Sequence, residues 1–234
     1  MNMSMKDFLL GTVVVAMWFL AGCSARNPTG PTYGNNVTDI DGNVYHVVTI
    51  GTQTWMVENL KATRYNDGTA IPLVTDSVAW NALSTPEYCW YNNNSITYKN
   101  TYGALYNWYT VNTGKLAPTG WHVPADSEWS VLTTYLGGES VAGGKLKETG
   151  TTHWGSPNTA ATNETGFTAL PGGCRDGIYG TFHDVGHGGF WWSATAYDAT
   201  YSWSLVRYMD YGSANVYSTT TISNNGYSVR CVQD

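Results

Sequence analysis

His183 and His187, in "FHDVGHGGF", have the i, i+4 spacing of a zinc pair. Gly186, Gly188 and Gly189 argue against the helix that would put both rings on one side, and no third ligand is evident. No metal site is therefore expected. Neither a Ser/His/Asp order nor a carboxylate pair of defined spacing stands out, so no enzyme activity is expected. His122, between Trp121 and Val123, reads as a satisfied core residue, while His46 and His153 show no partners. "YNNNS" and "RYNDGT" offer oxygen ligands for a structural Ca²⁺, the one cofactor left open, but the Asp spacing of an EF-hand loop is missing.

The stretch with the most to offer is aromatic. "WWSATAYDATYSW" (191–203) sets Trp and Tyr among Ser, Ala, Thr and Asp. Tyr and Trp give large contact area with few rotors to freeze, and Ser and Asn adapt their hydrogen bonds. The same residues also favour pleated strands. Trp191, Trp192 and Trp203 are expected in the core or at its margin. Tyr197, Tyr201, Tyr208, Tyr211, Asn215, Tyr217, Asn224 and Asn225 are expected to turn outward as a ligand-binding surface.

The elements that must position these residues are bounded by composition. The chain has 234 residues, 42% hydrophobic and 14% aromatic, enough to bury a core. Only 12% is charged, against about 25% in an ordinary soluble domain. The net charge of -6 and the lack of a basic patch argue against a nucleic-acid partner.

Residues 8–22, "FLLGTVVVAMWFLAG", are apolar but shorter than the roughly 20 residues of a comfortable membrane span. They end in Leu20-Ala21-Gly22-Cys23, which resembles the lipobox of bacterial lipoproteins. That resemblance implies cleavage after a signal peptide of residues 1–22 and acylation of the Cys23 thiol, so that lipid chains tie the protein to a membrane. Ser24 is not the Asp associated with inner-membrane retention, so the outer membrane or cell surface is expected. Residues 23–36 comprise Cys23 and a Pro/Gly/Asn-rich tether, and residues 37–234 read as one domain.

Within that domain "DIDGNVYHVVTI" reads as an Asp41-Gly42 turn and an alternating strand, with Val44, His46, Val48 and Ile50 on one face and Tyr45, Val47 and Thr49 on the other. "TWMVENL" is a second strand. Helices are predicted at 102–111, with a Leu105, Trp108, Tyr109 stripe, and in "PADSEWSVLTTYLGG", with a Trp129, Leu132, Tyr135, Leu136 stripe; a short third covers 139–147. From Phe167 the chain reads as β: "FTALPGG", "FWWSATAY", a hairpin of "YSWSLVRYMDYG" and "SANVYSTTTI", then a last strand in "SNNGYSVRCV".

Taken together, "DIDGNVYHVVTIGTQTWMVENL", "YCWYNNN", "YGALYNWYTV", "APTGWHVPADSEWSVL", "GFTALPGGCR", "GFWWSATAYD" and "GYSVRCV" resemble the Fibrobacter succinogenes major paralogous domain, from about Asp39 to Asp234. The resemblance implies an α+β, C-type-lectin-like fold. Two main helices would flank a small twisted, mostly antiparallel sheet, the termini would meet, and an irregular loop region would carry binding. The Glu-Pro-Asn triplet with which C-type lectins coordinate sugars is absent. The closing "WWSA…YSVRC" is also similar to the end of the formylglycine-generating branch of that fold, which works with a cysteine pair. Many members have Cys where Ala117 stands. Three thiols remain in the mature domain, allowing three single pairings, and the resemblance favours Cys174–Cys231, with Cys89 free and buried. Lipoproteins of this fold can also be targets of retroelements that diversify adenine-containing codons such as those of Asn and Tyr. The expected function is a lipid-anchored module holding a glycan or protein ligand near residues 175–225; the alternatives are a formylglycine-generating-like enzyme and a structural component of the envelope.

Overall fold

The structure, a computed structural model, describes residues 30–198 and 203–234. Cys23, the leader before it and Tyr201 lie outside the described residues. The fold is mixed α and β, dominated by sheet. In chain order the elements are β1 (Thr32–Tyr33), β2 (Val37–Thr38), β3 (Val44–Tyr45), β4 (Val47–Ile50), β5 (Gln53–Met56), α1 (Ser77–Asn81), β6 (Tyr88–Cys89), α2 (Ser95–Tyr102), β7 (Leu105–Tyr106) and α3 (Trp108–Val111). There follow β8 (Trp121–His122), α4 (Asp126–Tyr135), α5 (Glu139–Leu146), β9 (Gly172–Arg175), β10 (Phe182–Val185), β11 (Gly188–Asp198), β12 (Trp203–Asp210), β13 (Tyr217–Ile222) and β14 (Val232–Gln233). Among the described residues five short α-helices, α1 to α5, therefore replace the expected pair. No helix among the described residues is long and apolar enough to cross a membrane.

Two five-stranded sheets carry the domain, one ordered β1-β4-β5-β14-β8 and the other β10-β9-β11-β12-β13. The first gathers both ends of the described chain. Thr32 and Tyr33, inside the segment read as tether, pair with Thr49 and Val48 on its edge, and Val232 pairs with both Trp55 and His122. In the second, β9 runs parallel to β11, and β11, β12 and β13 are antiparallel neighbours.

Local chemistry explains the elements that match their sequence signals. Asp39 closes the first turn by accepting from the Asp41 and Asn43 amides, both at 2.9 Å, and from the Tyr45 hydroxyl at 2.6 Å. The following strand breaks at His46, so Tyr45, Val47, Val48 and Ile50 are all buried and the single alternation is lost. Helix α4 lacks a side-chain acceptor at Ala125. Instead Glu128 accepts from the Ala125 amide at 2.8 Å, and Thr195 Oγ1, from β11, accepts from the Asp126 amide at 3.0 Å. Trp129, Leu132 and Leu136 of its stripe are buried, whereas Tyr135 is exposed.

The helix expected over 102–111 is instead split. Gly103 turns the chain at φ 79° after α2, Leu105 and Tyr106 pair with Cys89 and Tyr88, and Asn107 caps α3 by accepting from the Thr110 amide at 3.1 Å. The tertiary pairing outweighs a weak helical periodicity.

Two large cores flank the last segment of the chain. Tyr227, Val229 and Cys231 enter one, with Trp192 and Val206; Trp55, Trp129, Trp154 and Trp191 fill the other. A Trp buries roughly 200 Å², about 5 kcal/mol of gross transfer free energy. Ser228 and Arg230, on the alternate face, are buried too. Asn59 Oδ1 accepts from Trp191 Nε1 at 2.8 Å and from Arg230 Nη2 at 2.9 Å, and the guanidinium lies 4.2 Å from the Phe167 ring centroid. Burial pulls the Arg230 pKa down to about 9, so it stays charged at neutral pH.

His122 is half-exposed rather than core, and it clasps three segments. Its Nδ1 lies 2.7 Å from Asp234 Oδ1 and its Nε2 2.8 Å from Glu128 Oε1. Partial burial opposes the charged ring, but the hydrogen bonds and charges of Asp234 and Glu128 outweigh it and raise the pKa above 6.5. A raised folded-state pKa favours the fold when the ring is protonated. The contribution is complete below about pH 6.5, the unfolded value, and fades as pH rises through the higher folded value. Melting curves between pH 5 and 9 should thus show a wild-type Tm loss on the alkaline side that His122→Gln abolishes; equal slopes for both chains would refute the assignment.

Candidate functional site

The parallel pairing of β9 with β11 puts three connections at one end of the second sheet: loop 176–181 after β9, the β11–β12 hairpin end, and residues 223–226 after β13. Most large rings here are buried, but this end is different. Tyr179 is 74% exposed, Tyr197 65% and Trp203 41%, and beside the loop lie Ile178 at 52% and Val78 of α1 at 76%. Large apolar side chains held in water on a soluble domain mark an interaction surface when they are grouped.

The loop that carries Ile178 and Tyr179 is rigidly held. Asp176 Oδ1 accepts from the Ile178 amide at 2.8 Å and the Tyr179 amide at 2.6 Å, an Asx turn. Asn225 Oδ1 accepts from the Gly177 amide at 2.7 Å, and Asn224 Nδ2 donates to Gly177 O at 2.8 Å and Asn81 O at 3.1 Å. Asn81 Nδ2 in turn donates to Ile178 O. Gly180 takes φ 67°, and a Cβ there would collide with the Ser77 backbone, so the loop packs directly on α1.

Arg175 joins these parts from below. Its side chain is fully buried and has four carbonyl acceptors: Val74 O at 2.6 Å, Thr75 O at 2.9 Å, Asp76 O at 3.1 Å and Gly180 O at 3.1 Å. The first three enter α1, and the fourth ends the loop. Trp80 and Phe182 lie against the guanidinium, with centroids at 4.5 and 4.9 Å.

The hairpin end is anchored separately. The Ala194 amide donates to Pro124 O at 2.9 Å, and Trp108 Nε1 donates to Ser193 O at 2.9 Å. Beyond these ties the β11–β12 register shifts between Trp192 and Ala196 and again before Asp198. Bulges of this kind bend the strand and re-aim side chains, here Tyr197 and Trp203.

The residues expected on a recognition surface fall into five groups. Tyr197 is exposed at this end, and Tyr201 lies outside the described residues. Asn224 and Asn225 are here too, but as supports beneath the loop, with Asn225 buried. Tyr208 and Tyr217 are half-buried members of a ring stack across the sheet: Phe190–Tyr208 at 5.7 Å, Tyr208–Tyr217 at 4.6 Å, and Phe190–Tyr227 at 5.3 Å. Tyr211 and Asn215 sit at the opposite end, Tyr211 with its ring against His187. Trp203, expected in the core or at its margin, is a surface residue. Val78, Ile178 and Tyr179 were not expected. The available signal was "DGIYG", a turn that spends two large apolar residues where small polar ones are usual.

Other candidate ligands have structural partners. His46 and His153, expected without partners, lie 2.6 Å from Glu58 and 2.8 Å from Glu148. His183 bonds to Thr181 at 2.7 Å. Asn93 donates to Thr75 O and Asn94 caps α2, while Asp67 pairs with Lys115 at 2.9 Å. Among the described residues no group of three His, Cys, Asp or Glu is placed to hold a metal ion.

A family described as the Fibrobacter succinogenes major domain has a sequence model that matches residues 48–233. No curated protein and no solved structure matches the chain.

The expected Cys174–Cys231 bridge is corrected by the structure, in which Cys89, Cys174 and Cys231 are free thiols. Cys231 points into the core beside Trp192, and Cys174 sits on β9 at its margin. Burial pushes Cys89 and Cys174 up to about 12 and raises Cys231 as well. Such thiols are poor nucleophiles. Without reductant, alkylation at neutral pH should leave Cys89 and Cys231 unmodified in the folded chain and label all three in denaturant. Two sites that resist labelling in denaturant until a reductant is added would show a bridge instead.

Proposed function

The chain belongs to the Fibrobacter succinogenes major domain family, and we propose that it is a lipid-anchored extracytoplasmic binding module for a glycan or protein ligand. The observation that carries this reading is the exposure of Tyr179, Tyr197 and Trp203 at one end of the second sheet, Tyr179 on a loop fixed by its own hydrogen bonds. Exposed aromatics dominate recognition energetics because each supplies much apolar area at little entropic cost, and a loop already fixed before binding loses little more. Their rings can stack on a sugar face or fill a pocket on a protein.

In this reading the domain is C-type-lectin-like. The meeting of both chain ends in the first sheet, and the gathering of loops at an end of the second, support it. Leu20-Ala21-Gly22-Cys23 supplies the acylated anchor, and residues 24–29 lead to the edge strand β1. The outer membrane or cell surface is the proposed location. The proposed module is non-enzymatic: a formylglycine-type reaction needs a reactive thiol pair, and Cys231 is buried, Cys174 half-buried, and burial raises both above the ordinary thiol pKa.

Tyr179→Ala and Trp203→Ala test the site. Arrays of envelope polysaccharides and of surface proteins from neighbouring cells should show wild-type binding that each variant weakens by about 10-fold or more, as expected for hot-spot rings. Both variants should keep the wild-type Tm, because neither ring fills the core. Retention of full binding by both would remove this surface from the proposal.

A further inference from the structure

Among the described residues, strand β13 forms the outer strand of the second sheet, pairing with β12 alone. Its sequence, Tyr217-Ser218-Thr219-Thr220-Thr221-Ile222, contains no charge, Pro or Gly, and its register with β12 runs through all six residues without a bulge. Soluble proteins usually guard such an edge with Lys, Pro, a bulge or brevity. The other sheet edges here are guarded. β1 and β8 have two residues each, and β10 carries His183 and Asp184, the latter at φ 64°. Ser218 and Thr219 are exposed.

The ring stack ends on the same strand. Tyr217 covers Tyr208 with one ring face, and across the open edge no ring among the described residues stacks on its other face. An added strand would meet both the free backbone groups and that ring.

We propose that β13 pairs with β13 of a second copy of this chain, antiparallel and centred on Thr219, joining two five-stranded sheets into one. A two-fold axis perpendicular to the sheet keeps matching faces together only when a residue of one parity meets its own parity. Centring on Thr219 sets Tyr217 opposite Thr221 of the second copy, and the reverse, with Ser218 opposite Thr220. The outer two are aromatic–β-branched pairs, which are favourable directly across antiparallel strands, as Thr–Thr pairs are. Centring on Thr220 would place Tyr217 opposite Ser223, which is already buried and bonded to Ser204 at 2.9 Å. Although the chain carries a net charge of -6, this edge opposes no like charges. That favours a copy of itself over a charged peptide. The inference stands apart from the loop-end reading, since Tyr179, Tyr197 and Trp203 are not on β13.

The full chain tests it in two ways. In membranes of the producing cells, mild oxidation of Thr219→Cys should give a disulfide-linked dimer. Ser218→Cys and Thr220→Cys should do so when co-expressed and not singly. In detergent solution, Thr219→Lys and Thr219→Glu should each weaken self-association about 10-fold or more by sedimentation, and mixing the two should restore it. Unchanged melting curves would confirm that the variants fold. A monomeric wild type, dimers unaffected by either charge, or cross-linking from Thr220→Cys alone would overturn the proposal. Loss of ligand binding by Tyr179→Ala with dimerisation intact would leave it standing.

Discussion

A buried guanidinium met by backbone carbonyls organises the candidate site. Taking Arg175 out of water is costly unless its donors are met, and here four carbonyls and two ring faces meet them. A planar fork can reach three successive carbonyls at the start of α1 and one at the end of loop 176–180 at the same time. A lysine ammonium cannot, because its donors radiate from one point. The result is a loop whose apolar tips face water while its backbone is fixed from beneath. Exposure without mobility is what a recognition loop needs if binding is not to be taxed by ordering entropy.

Arg230 works similarly between the cores. It comes from the last segment of the chain, meets Asn59 from the segment after β5, and stacks on Phe167. Arg207 differs in having acids, Asp126 at 2.8 Å and Glu139, for partners. A chain with only 12% charged residues thus buries three arginines and uses them to fasten distant segments. Removing one such partner strands the other groups, at a cost of about 3–5 kcal/mol for a buried ion pair.

Much of the scaffold was legible in the sequence. The Asp-Gly turn, the dipole-loaded start of α4, the β12–β13 hairpin and the burial of Trp191 and Trp192 follow from local rules. What was not legible depends on partners far away in the chain. Asn224 and Asn225 look like surface asparagines until Gly177 packs against them, and Trp203 looks like core until the β11–β12 register shifts beside it. His122 has acids in reach only once β14 pairs beside β8. Ile178 and Tyr179 left only the turn signal of "DGIYG", because the tie that permits their exposure, Arg175, reads as an ordinary strand residue.

Amide exchange in an Arg175→Lys chain tests the central claim most directly. The account predicts that the Gly177, Ile178 and Tyr179 amides exchange at least about 100-fold faster than in the wild type while the Trp192 amide, in the core, changes little. Loop amides as protected with lysine as with arginine would contradict it.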